Sequence, residues 1–169
     1  MLPHAIAAAR QIAALKGSAW AAHVPVIYAN DNFGRWRSDF REVVDHSLQD
    51  GVRGQALAEL LRPERGDYFV LKPKHSAFFA TTLDTLLRYL EARRLVLTGI
   101  AGDTCVLITA MDAFLRDYEL HVPSDCVASR DSAENGKALA YMQRVLHADV
   151  SAAAAVDFHA LRKPKQDTD

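Results

Sequence analysis

Apolar and polar positions change period several times along the chain, and each change predicts an element. Over residues 3–22 (PHAIAAARQIAALKGSAWAA) the apolar positions Ile6, Ala9 and Ala13 return at helical spacing, and Pro3 falls in a first turn, where its missing N–H breaks no hydrogen bond. Residues 24–29 (VPVIYA) are short, rich in β-branched side chains and apolar on both faces, the pattern of a strand covered on both sides of a sheet. A polar run, NDNFGRWRSDF, follows; from residue 38 or 39 the stretch FREVVDHSLQD regains helical spacing, with Asp39 and Glu42 as a capping pair. Further strands are predicted over residues 68–72, 95–98 and 119–122, and further helices over 82–92, 104–117 and 132–147. Strand and helix alternate almost throughout. Strands too apolar to face water, alternating with helices, predict an α/β fold: a three-layer arrangement with helices on both faces of an open parallel sheet, and a site at the carboxyl ends of the strands. One domain is expected over residues 1–150, with 151–169 a C-terminal tail disordered at its end.

Composition narrows the function classes. The chain has 169 residues, 50% hydrophobic and 24% charged, which suits one domain with a real core. Twenty basic side chains against 21 acidic ones give a net charge of −1, and no basic stripe offers the electrostatic footprint of a nucleic-acid binder. No apolar run is long enough for a membrane span and the N-terminus has no signal-peptide pattern, so a cytoplasmic location is expected. Two cysteines fit a reducing compartment better than a disulfide framework.

One of them stands where chemistry is favoured. In LVLTGIAGDTCVLITAMDAFLRD, residues 95–117, an apolar strand runs through a glycine-bearing turn into a helix, with Cys105 at the helix start. The first turn of a helix carries unpaired N–H groups and the positive end of the dipole, both of which favour a thiolate. Cys126 follows a strand without such surroundings and reads as structural.

Two segments fall at the carboxyl ends of predicted strands, KPKHSAFFAT and GIAGDTCVLITAMDAF. Their spacing is Lys72 to Ser76-Ala77-Phe78, then T-G-I-A-x-x-x-C-V-x-x-T-A-x-D-A, then Y-x-x-x-V-x-x-D-C from Tyr118 to Cys126. This pattern resembles the isochorismatase-like cysteine hydrolases, over about residues 24–147. The resemblance implies a Rossmann-like isochorismatase-type fold and amidase chemistry on a C–N bond of a small amide or ureido compound, with Cys105 as the nucleophile that forms an acyl-enzyme. It implies Lys72 as the cation beside the thiolate; Lys74 shares the strand face and only the spacing to Ser76 selects Lys72. It further implies a non-proline cis peptide between Ile100 and Ala101, and an oxyanion hole formed by the N–H groups of Ala101 and Cys105.

The resemblance also implies a third group, an aspartate at the end of a strand preceding the first helix. No aspartate occurs before Asp31, and the expectation is that the chain begins inside the domain with that acid upstream of Met1. The alternative is an impaired, non-catalytic member with a binding or scaffold role. Asp31 itself reads as a turn or loop-capping residue. His75, beside Ser76, reads as polar surface ranked below Lys72. Substrate contacts are expected from Asn30, Phe33, Trp36 and Phe78. Trp36, flanked by Arg35 and Arg37, suits a planar or anionic substrate and suits equally well packing on a neighbouring subunit of a homo-oligomer. Asp31-Asn32-Phe33 lacks the histidine of the family's metal-binding D-x-H, the histidines are scattered, and neither nucleotide fingerprint occurs, so no metal and no cofactor are expected.

Overall fold

A computed structural model describes residues 2–31 and 54–161; the helix expected from residue 38 lies outside them. The elements are α1 (Leu2–Ala21), β1 (Ile27–Asp31), α2 (Gln55–Leu60), β2 (Tyr68–Lys72), α3 (Leu83–Tyr89), β3 (Arg94–Val96), β4 (Gly99–Ile100), a π-helical turn (Gly102–Val106), α4 (Leu107–Phe114), β5 (Glu119–His121), a 3₁₀ turn (Ser124–Cys126), β6 (Val127–Ala128), α5 (Ser132–Val145), a second 3₁₀ turn (Ala153–Ala155) and α6 (Phe158–Leu161).

The fold is α/β, and every strand pair is parallel: β1 with β2, β3 with β5 and β4 with β6. Among the described residues no ladder joins β1 to β3, so the parallel pairing is realised as three separate pairs. Asp149 extends the second of them through a parallel bridge to His121. Parallel pairs need crossovers, and these place helices on both faces. One face is closed by α3, α4 and α5, whose Leu83, Leu87, Ala110, Ala113, Ala138 and Met142 pack with Val70, Leu120 and Val122. The other is closed by α1, whose Leu15 and Ala19, with Ala22 just past its end, pack with Cys126 and Phe158. Phe158 is thus part of the core, and the segment expected as a tail from residue 151 is packed at least to α6, where the Leu161 carbonyl accepts from Arg94 Nη1 at 2.8 Å.

Polar contacts lock α1 to the first pair. Lys16 Nζ donates to Asp67 Oδ2 at 2.6 Å and to the Tyr28 hydroxyl at 3.1 Å, so one ammonium ties the helix to β1 and to the turn before β2. Two departures from the sequence pattern have local causes. Helix α2 buries none of its residues and so leaves no apolar period to read. The helix expected over 104–117 is divided, because its first turn is π-helical and only residues 107–114 are α-helical. No helix among the described residues is long and apolar enough to cross a membrane.

Two glycines shape the turn into that helix for different reasons. Gly99 has φ +128°, a region closed to most L side chains. Gly102 is needed for space: a Cβ there would overlap the Asn135 carboxamide oxygen and meet Ser129 Oγ at 3.3 Å. Gly102→Ala should therefore destabilise the chain by ~1 to 3 kcal/mol in urea unfolding, the scale of an overpacked core. Gly136→Ala, on α5 with open space around its Cα, should instead stabilise by up to ~1 kcal/mol.

Candidate active site

Cys105 lies in the π-helical turn directly after β4, and the Ile100–Ala101 peptide bond between them is cis. The first i→i−5 bond of the turn runs from the Val106 N–H to the Ala101 carbonyl at 3.1 Å, which leaves the N–H groups before it at the orphan end of the helix. Two of these are taken up: Asp103 N–H donates to Ser129 Oγ at 3.0 Å, and Thr104 N–H to the Ala101 carbonyl at 3.3 Å. Ser129, almost wholly buried, donates its hydroxyl to Asn135 Oδ1 at 2.8 Å. The turn that carries the thiol is therefore pinned from β6 and α5.

Lys72 ends β2 in register with Asp31, which ends β1. Its ammonium donates to Asp31 Oδ1 at 2.5 Å, to the Lys74 carbonyl at 3.3 Å and to Cys105 Sγ at 3.6 Å. The Lys72 side chain is 5% exposed and that of Asp31 42%, so the ion pair has a sheltered cation and an accessible carboxylate. Of the two candidate lysines, Lys72 reaches the sulfur; Lys74 is exposed and contributes a carbonyl. Asp31 corrects the sequence reading, since its place opposite Lys72 makes it an ion-pair partner and not a loop cap. His75 corrects it as well: its Nδ1 lies 3.7 Å from Cys105 Sγ. Neither position announces itself locally, because both depend on register and loop closure.

The loop from Lys72 to Phe78 is held by α4. Ser76 Oγ donates to Asp112 Oδ2 and accepts from the Phe78 N–H at 3.1 Å, and the Ala77 N–H donates to Thr109 Oγ1 at 3.0 Å. Thr109 and Asp112 are the polar members of T-A-x-D-A, so that spacing puts two acceptors on one helical face toward the loop. Arg116 steadies Asp112 at 3.1 Å and lies 4.7 Å over the Phe78 ring. Phe78, expected to contact substrate, is 5% exposed and packs in the core beside Tyr118; it supports the loop from behind. Asn30 is exposed next to Asp31, while Phe33 and Trp36 lie outside the described residues. Among the described residues, no three His, Cys, Asp or Glu side chains gather as a metal-binding group.

Cys126 differs sharply from Cys105. It has no exposed surface, and burial, the Asp125 charge and a hydrogen bond to Asp125 push its thiol up to about 12.

A family model for the isochorismatase domain matches residues 2–155. The isochorismatase family protein YaaI of Bacillus subtilis (strain 168) is 42% identical over 127 residues, which cover 75% of this chain and 69% of that protein. Ureidoacrylate amidohydrolase RutB of Methylorubrum extorquens is 42% identical over 77 residues, 46% of this chain and only 31% of the relative. Among solved structures, N-carbamoylsarcosine amidase from Thermoplasma acidophilum superposes with a TM-score of 0.73 at 31% identity, covering 92% of this chain and 87% of that one.

The contrast between the thiols yields a direct expectation. A thiol pushed up to about 12 has a thiolate fraction of ~10⁻⁵ at pH 7. Iodoacetamide at pH 7, read by peptide mass spectrometry, should label Cys105 and leave Cys126 unmodified in the folded chain. Because the folded-state value for Cys126 lies above the ordinary value of 9.0, the stability it contributes is complete below pH 9 and is lost as pH rises toward about 12. Cys126→Ala should flatten that alkaline part of the unfolding profile.

Proposed function

The chain belongs to the isochorismatase family, and on that premise we propose that it is a cysteine hydrolase that cleaves a C–N bond of a small amide or ureido compound through an acyl-enzyme on Cys105. The observation that carries the proposal is the 3.6 Å approach of the Lys72 ammonium to the Cys105 sulfur at the start of a helix. A cation and a helix N-terminus both favour the thiolate over the thiol. The relatives named for an activity, ureidoacrylate amidohydrolase and N-carbamoylsarcosine amidase, act on C–N bonds of small molecules, which supports the same bond class here.

In this reading the sulfur attacks the carbonyl carbon and the carbonyl π pair moves to oxygen. The N–H groups of Ala101 and Cys105 receive that oxyanion, at the orphan end of the helix where a developing negative charge is best placed. On collapse the C–N bonding pair goes to nitrogen, which takes up the proton that the thiol gave up, so the neutral amine leaves and a thioester remains, which water hydrolyses to the acid and the thiol. In this reading Asn30, exposed beside Asp31, contacts the substrate together with Phe33 and Trp36, which follow it along the chain.

The test is ammonia and amine release from a panel of N-carbamoyl acids, ureido acids, nicotinamide and simple amides, with intact-mass detection of the thioester. Cys105→Ala should abolish both turnover and adduct. Lys72→Met should lower kcat/KM by ~10²-fold or more, the scale of removing one preorganised electrostatic contact. A folded chain with a reactive Cys105 that turns over none of the panel would favour the binding or scaffold role.

A further inference from the structure

The proposed reaction collects its oxyanion at the N–H groups of Ala101 and Cys105, and we infer that Ser129 and Asn135 are positioning residues that aim this pair; the inference rests on Cys105 being the nucleophile. A peptide N–H points where the planes before it put it. The Cys105 N–H therefore depends on how the start of the π-helical turn, Gly102 and Asp103, is held. The N–H groups of Thr104 and Val106 go to the Ala101 carbonyl and fix the turn on itself. The Asp103 N–H ties it to the rest of the chain, donating to Ser129 Oγ at 3.0 Å.

Ser129 follows β6 and is 2% exposed, so its hydroxyl must find its partners inside the protein. While the oxygen accepts from Asp103, its proton needs an acceptor of its own, and Asn135 Oδ1 stands 2.8 Å away. The carboxamide serves in one orientation. Turned the other way, its NH2 would meet the serine oxygen as a second donor and leave a buried hydroxyl proton without an acceptor. With Oδ1 on the serine, Nδ2 faces the Val127 carbonyl at 3.5 Å.

The base of that carboxamide is stiff. Helix α5 is capped by the Asp131 carboxylate, which accepts from the Ala133 and Glu134 N–H groups at 2.7 and 3.2 Å, and the Asn135 N–H donates to the Asp131 carbonyl at 3.0 Å. Gly102 supplies the other half of the fit. A Cβ there would overlap Asn135 Oδ1 and meet Ser129 Oγ at 3.3 Å, so the backbone of the turn lies directly against the pair. Asn135, Ser129 and Asp103 thus form one line of contacts from α5 to the residue two places before the thiol. A displacement of ~1 Å along such a line is enough to lower a rate by up to ~10²-fold.

The experiment compares the full chain with Ser129→Ala, Asn135→Ala, the double variant and Cys105→Ala. Benzaldehyde is a probe that needs no amide substrate. The Cys105 sulfur adds to its carbonyl carbon, the π pair moves to oxygen and the thiol proton goes to that oxygen, giving a hemithioacetal whose oxygen lies at the N–H pair. Its dissociation constant is read from protection of Cys105 against iodoacetamide at pH 7. Each single variant is expected to weaken benzaldehyde by ~10-fold or more, as misaimed oxyanion donors would. Alkylation without aldehyde should stay within ~3-fold, because it uses the sulfur and not the N–H pair. On the best amide, kcat should fall by ~10-fold or more with KM within ~3-fold, the sign of an interaction made in the transition state. The double variant should lose no more than Ser129→Ala, since both changes break one line of contacts. Urea unfolding checks that each variant is folded; should Ser129→Ala fail to fold, Asn135→Ala, at a partly exposed position, carries the same readouts. Undiminished benzaldehyde binding in the variants, alkylation falling in step with it, or additive losses in the double variant would each overturn the positioning role, as would a lack of aldehyde protection in the unaltered chain. Turnover retained in Cys105→Ala would instead sink the nucleophile on which the inference rests, and absent turnover beside the expected aldehyde pattern would sink the hydrolase reading while supporting the positioning role.

Discussion

The site depends on where one ammonium is held. Lys72 is carried on a strand whose register with β1 sets it beside Asp31, and its near-complete burial is tolerable only because a carboxylate, a carbonyl and a sulfur receive its three protons. Strand pairing at the carboxyl end of β1 and β2 thus determines whether the sulfur of Cys105 faces a cation at all. A slip of one residue would turn the lysine to the opposite face of the pair.

Around that contact the fold works by clamping two loops. The loop after β2 is tied to α4 through Ser76, Ala77, Thr109 and Asp112, and the turn after β4 is tied to β6 and α5 through Asp103, Ser129 and Asn135. Both clamps use short polar side chains bonded to backbone N–H groups and to one another, so the loops are fixed with small tolerance. The lysine, the histidine and the cysteine come from these two loops, and α4 anchors the first while continuing the second. That shared helix is why the three groups can meet at one sulfur.

Most elements were legible because burial imposes a period on sequence. The two-sided apolar run at β1, the strand at residues 68–72 and the helical spacing of α1 and α5 are all consequences of facing a core. Helix α2 was not legible, since it buries nothing, and the π-helical turn was not, since its extra residue is selected by bonds to Ser129 and Ala101 and leaves no periodic trace. In the site, the place of Cys105 at a helix start was legible locally, while that of Lys72 near it was implied by the family resemblance and is seen in the structure as a 3.6 Å approach to the sulfur. Phe78 was misread, because an aromatic side chain beside a site looks the same in sequence whether it faces the pocket or backs it.

The amino-acid sequence by itself determined the α/β class, the parallel strands and the strand-to-helix turn that carries the thiol, because these follow from local period and from the chemistry of a helix end. Tertiary structure alone decided the partners of that thiol. Asp31 and Lys72 are 41 positions apart, and His75 and Cys105 are 30 apart. Their meeting is set by strand register and loop closure, long-range constraints satisfied by the packed chain as a whole and encoded at no single position in it.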